Sequence, residues 1–171
     1  MSSLLSQPLA ISSFVPPLPL LGLITSTSAL VVAYCETIFL GPLADPSVSP
    51  AAVRTVWRKC FFPGFLAVAS SRIGSVVSGI AGYKASPPDS PAAVLYTAGI
   101  AFTVAHFAFL PWGEKKASAA LDPILNDKAE ADTKVHEGNK KFIRIDKVRT
   151  FLSEAPAFLC FLGASLAYLQ I

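Results

Sequence analysis

The chain has 171 residues, room for one domain, and 53% of them are apolar while only 15% are charged. A soluble domain of this length carries nearer a quarter charged residues, so the composition argues against that class. The formal net charge of +3 is too small, and too confined to short segments, to suggest a nucleic-acid partner.

In chain order, residues 1–15 contain no Lys or Arg and so lack the basic head of a secretory signal. Pro16, Pro17 and Pro19 then punctuate the approach to the first apolar run. Four such runs follow, at about 18–40, 60–83, 92–112 and 150–171. Each is about 20 residues long, enough for a helix rising 1.5 Å per residue to cross a hydrocarbon core of roughly 30 Å. The sequence therefore predicts an all-α fold, an integral membrane four-helix bundle forming one domain over 1–171. Cys35, Cys60 and Cys160 are odd in number and form no CxxC pair, so no disulfide framework or zinc site is expected.

The cations give an orientation. The segment before the first run and the tail after the last have none. The connection 41–59 carries Arg54, Arg58 and Lys59, and the long connection 113–149 carries Lys115, Lys116, Lys128, Lys134, Lys140, Lys141, Arg144 and Lys147. Between the second and third runs there is only Lys84. Positive charge stays cytosolic, which predicts loops 41–59 and 113–149 in the cytosol and both termini in the lumen. Acids are mixed with the bases over 127–141, which reads as a solvated, partly helical cap. Ser70, Gly74, Ser78 and Gly82 at intervals of four, and Ala101, Ala105 and Ala108, offer small faces for close helix packing.

Ionisable residues inside such runs are costly and usually face a bundle interior, a partner or water. Here they are Glu36, Arg72, His106 and Glu154, with Asp146 and Arg149 at the start of the last run. Counting from the run ends places Glu36, His106 and Glu154 in one layer roughly 10 Å below the cytosolic surface. Arg72 is deeper, but its long side chain can reach that layer. Taken singly, each has a structural reading: Glu36 with Arg72, and Asp146 or Glu154 with Arg149, as ion pairs, and His106 as an interhelical hydrogen bond. Taken together they are the equipment of acid–base chemistry. Glu36 or Asp146 would activate water or a hydroxyl, His106 or Glu154 would protonate a leaving oxygen, and Arg72 or Arg149 would orient a carboxylate. The chain has no Gly-rich dinucleotide loop, no P-loop lysine and no Gly-x-Ser-x-Gly, and its second histidine, His136, lies in a connection. No cofactor and no metal are expected.

Trp57, Phe61 and Gly64 near the start of the second run, and Phe142, Asp146 and Arg149 before the fourth, form a pattern. It resembles that of the small four-helix membrane proteins grouped with the fungal anthrone oxygenases. Those proteins usually carry Pro-aromatic-Thr near the end of the third run. The equivalent stretch here is Ala105-His106-Phe107, leading to Pro111-Trp112-Gly113. A family Asn is Asp146 in this chain. The resemblance implies the same scaffold adapted to proton transfer, an endoplasmic-reticulum membrane, and a lipophilic polyketide-like substrate with pathway enzymes as partners. Three functions are then expected in order: cofactor-independent epoxide hydrolysis or cyclisation; anthrone oxidation with O2; and a non-catalytic membrane scaffold or carrier.

Overall fold

In a computed structural model the described residues are 20–125 and 129–169, with side chains described outside 108–118 and 129–131. The expectations for residues 1–19, and for the last two residues of the fourth run, lie outside them. The described residues are almost wholly helical and contain no strand. Among the described residues there are five helices: α1 (Leu21–Leu40), α2 (Pro50–Ala85), α3 (Pro91–Leu125), α4 (Val135–Arg149) and α5 (Ala155–Leu169). Short 3-10 segments, Pro42–Ala44 and Ala129–Lys134, lie in the connections, and a π-helical turn, Thr150–Glu154, joins α4 to α5.

The all-α expectation holds, while the count of four helices does not. Much of the loop drawn at 113–149 is helix, because α3 continues to Leu125 and α4 fills Val135–Arg149. Likewise the loop at 41–59 ends at Ser49, where α2 begins. The physical reason is that an apolar run ends where polarity returns, whereas a helix ends only where its backbone is broken. Ser49 starts α2 by accepting from Ala52 N at 3.3 Å, with Pro50 in the first helical position. Ser90 does the same for α3, accepting from Ala93 N at 3.2 Å ahead of Pro91. Between them Pro87, Pro88 and Asp89, the last at φ 59°, make the turn that separates α2 from α3.

Three helical stretches are long and apolar enough to cross a membrane: Leu21–Ala44, Pro50–Ala85 and Asp132–Leu169. Pro91–Phe107 is a shorter apolar stretch. Their outer surface is rich in large apolar side chains, among them Tyr34, Phe39, Phe62, Ile73, Phe151 and Leu169, each more than half exposed. Hydroxyls along α1 are turned onto the helix itself. Thr25, Ser26, Thr27 and Ser28 all donate to carbonyls three or four residues back, which removes unpaired hydroxyls from an apolar setting.

Two apolar cores occupy opposite ends of the bundle. One gathers Leu40, Val53, Trp57, Leu121, Ile124, Val135 and Ile143. Buried Asn139 stitches it, accepting from Trp57 Nε1 at 2.9 Å and donating to Leu40 O at 2.7 Å. The other consists of Ala92, Tyr96, Phe161 and Ala164. The buried line of α2 runs Arg72, Ser75, Ser78, Gly79 and Gly82, spaced by three and four. The four-residue stripe expected there is corrected accordingly: Ser70 is exposed while Ser78 and Gly82 are buried. On α3, Ala101 is exposed and Ala105 half-buried, and the buried line passes through Tyr96, Gly99, Thr103 and His106. Ala108 has no described side chain.

Candidate functional site

Between the two cores, α1, α2, α3, α4 and the π-turn each contribute ionisable side chains to one cluster. Arg72 Nη2 lies 2.5 Å from Glu154 Oε1, and both side chains are 1% exposed. His106 Nδ1 lies 3.3 Å from the same oxygen, and Arg149 Nε lies 3.6 Å from it. Arg149 also pairs with Asp146 one helical turn earlier, and its Nη2 is 3.5 Å from Glu36 Oε2. Arg149 thereby brings the Glu36 and Asp146 carboxyl groups together on one guanidinium. All six residues singled out from the sequence thus form one connected network. The pairing differs from expectation in one respect: Arg72 takes Glu154, and Glu36 takes Arg149.

The π-turn explains how three of the six come from one helical run. In an α-helix, residues five apart point about 140° away from each other. A π-turn closes i→i+5 and brings such residues to one side. Here Ala155 N donates to Thr150 O, and Arg149 and Glu154 meet on the same face. Pro156, just beyond, has no N–H to donate and its ring crowds the carbonyl four residues back. That is where the α-helical ladder gives way. Pro156 is the sequence signal for this feature, and reading apolar runs alone passes over it.

The cluster is tightly charged but loosely hydrogen-bonded. Arg72 Nη2, His106 Nδ1, Arg149 Nε and Glu154 Oε1 sit in ion pairs without aligned hydrogen bonds. Asp146 Oδ2, Glu154 Oε2, Arg72 Nε and Thr150 Oγ1 are buried with no hydrogen-bond partner among the described residues. A network serving only to hold helices together gains most when every donor and acceptor is aligned and used. Charge counting points the same way. Three carboxylates face two guanidinium groups, so the cluster is neutral when it holds one proton shared among the acids and His106. A carboxyl pair in contact shares a proton for the same reason that two like charges at short range cannot both be kept.

Access is one-sided. Arg72, His106, Asp146 and Glu154 are all at most 4% exposed, whereas Glu36 and Arg149 are 23% and 20% exposed. On that side α2 presents Pro63 and Gly64, and a Cβ on Gly64 would stand 3.8 Å from Glu36 Oε1. Among the described residues no group of three or more His, Cys, Asp and Glu has the arrangement to hold a metal ion. No protein-family model, curated protein or solved structure matches the chain.

Proposed function

We propose that the chain is a four-span integral membrane enzyme that performs cofactor-independent acid–base chemistry on a lipophilic substrate, opening or cyclising an epoxide on a polyketide-like chain. In this reading the spans are the apolar parts of α1, α2, α3 and α5, the basic ends of α2 and α4 face the cytosol, and both termini are lumenal, in the endoplasmic reticulum. The distribution of Lys and Arg supports that orientation, and the apolar outer surface supports the membrane setting.

The observation that carries the enzymatic reading is the buried six-residue cluster with one more acid than guanidinium and a single exposed edge at Glu36 and Arg149. Glu154, held by Arg72, His106 and Arg149, is the fixed counter-ion and a positioning residue. The Glu36–Asp146 pair is the working unit. Its protonated member gives the proton to the epoxide oxygen as the C–O bond breaks. Its ionised member takes the proton from the water or substrate hydroxyl whose oxygen attacks the carbon, so the cluster ends with the proton count it began with. Membranes carrying the protein, given a polyene epoxide in 18O-labelled water, should yield a labelled diol or an unlabelled cyclic ether. Recovery of unchanged epoxide at the rate seen in empty membranes would overturn the reading.

A second reading, oxidation of an anthrone by O2, draws on the family resemblance. Its two motifs pack together: the Trp57 ring meets Phe142 edge-on at 4.7 Å, and Gly64 borders Glu36, the neighbour of Asp146 and Arg149. Here the carboxyl pair would remove a ring C–H proton, O2 would add at that carbon, and water would leave to give the quinone. Oxygen uptake with an anthrone substrate distinguishes the two. A carrier or scaffold predicts that Glu36→Gln, His106→Ala and Asp146→Asn each leave product formation intact while expression is unchanged.

A further inference from the structure

A second feature lies outside the charged cluster, on the outer side of α3 and α4. Gly138 lets these helices touch: a Cβ there would collide with the Ala120 carbonyl oxygen and come 3.2 Å from Pro123 Cγ. Next to this contact the helices leave an open groove of about 410 Å3 lined by Ala119, Ala120, Lys141, Arg144 and Ile145. Its floor is apolar and, among the described residues, its polar lining consists of two cations. The exposed face of α4 also carries Lys140 and Lys147, against a single acid, Glu137, which Lys141 engages at 2.7 Å. One to two turns further on, Val148, Phe151 and Leu152 are 46%, 76% and 49% exposed. Val148 and Leu152 follow Lys141, Arg144 and Ile145 at helical spacing, so charge gives way to apolar surface along one line within roughly 10 Å.

We infer that this groove binds an anionic glycerophospholipid. Its phosphate and carboxylate headgroup would sit between Lys141 and Arg144, its glycerol over Ala119 and Ala120, and an acyl chain along Val148 and Leu152. The inference rests on the membrane reading given above. Free phosphate would leave the apolar floor unused, and a choline headgroup would set its own cation beside two more. An anionic amphiphile matches both the charge and its abrupt transition to apolar surface.

The test uses the full chain purified in a neutral maltoside detergent. Dioctanoyl-phosphatidylserine should raise the thermal denaturation midpoint saturably, while dioctanoyl-phosphatidylcholine and inorganic phosphate at equal concentration should not. The Lys141→Ala/Arg144→Ala variant should bind the serine lipid about tenfold more weakly, each single change about threefold. Ala119→Leu keeps both charges but fills the floor and should weaken binding as well. Lys147→Ala, outside the groove lining, should weaken binding less than either single change within it, because it adds only to the field at the headgroup and makes no contact. Equal shifts from the choline lipid, an equal shift from phosphate alone, or unchanged binding by the double and both single variants would overturn the proposal. Carbonate washing of membranes separates the two readings. Release of the chain would overturn the membrane reading itself, whereas retention with equal serine and choline binding would overturn only the lipid site.

Discussion

Phe161 and Glu154 stand seven residues apart on one helical run, and each is buried against three residues under quite different rules. Around Phe161 the neighbours are glycines. A Cβ on Gly22, Gly79 or Gly99 would come within 2.9, 3.0 or 3.1 Å of its ring. Around Glu154 the neighbours are Arg72, His106 and Arg149. The first site is solved by shape, with α1, α2 and α3 drawn in until only glycine fits. The second is solved by charge, with contacts that leave several polar atoms unaligned. The two solutions depend on each other. The glycine contacts set the helix spacing, and that spacing sets how close the charges come.

The largest expected effect lies on the charged side. Glu154→Gln leaves Arg72 buried without its counter-ion, which should cost about 3–5 kcal/mol and show as a large fall in the detergent denaturation midpoint. Arg72→Met with Glu154→Met together should recover most of that loss, because matched apolar replacement of a buried pair is often neutral. A small loss from Glu154→Gln alone would mean that the cluster is wetter and weaker than its burial implies.

On the shape side the expected effect is next in size. A Cβ on Gly82 would fall 2.5 to 2.7 Å from the Tyr96 ring, so Gly82→Ala should destabilise by about 1–3 kcal/mol through overpacking. Because spacing is shared, the same variant should also lower activity at the charged cluster, although Gly82 sits far along α2 from Arg72. Ser75→Ala, which removes the 2.9 Å hydrogen bond from Ser75 to Thr25, should cost only about 0.6 kcal/mol. Equal losses from Gly82→Ala and Ser75→Ala would remove the distinction between packing by shape and packing by polar contact.

Level along the helix axis was legible in the sequence, and rotation was not. Glu36, His106 and Glu154 could be placed in one layer because each residue advances a helix by a fixed rise, and Arg72 could be added from the length of its side chain. Which groups pair depends on how each helix turns about its own axis. A run apolar on all sides carries little periodic signal to set that angle. Hence Glu36 with Arg72 was a reasonable expectation, and Glu154 with Arg72 is the pairing found. The small-residue stripe holds at Gly74, Ser78 and Gly82 but not at Ser70, for a related reason: strict spacing of four drifts around a helix of 3.6 residues per turn, so Ser70 leaves the buried face. The helices also outrun their apolar segments at the polar end. Positions 117–121 of α3 read Ala-Ser-Ala-Ala-Leu, strongly helix-forming whatever their hydropathy.

The smallest expected stability effects carry the sharpest functional test, at the cluster's exposed edge. Glu36→Gln keeps the side chain's size and removes one acid from a cluster that has one in surplus, so its stability should change by less than about 1 kcal/mol. Gly64→Ala meets only an ordinary contact, 3.8 Å from Glu36 Oε1, and should gain up to about 1 kcal/mol by replacing a mid-helix glycine. Both variants should therefore fold as well as the unaltered chain. If the Glu36–Asp146 pair moves the proton, Glu36→Gln should lower turnover of the epoxide by about 100-fold or more. Gly64→Ala should chiefly raise KM, because it narrows the approach to the pair without altering it. A merely structural cluster shares the prediction for Glu154→Gln but leaves these two silent in turnover as well as in stability. Turnover decides between the two, with denaturation midpoints on the same preparations showing that each variant is folded.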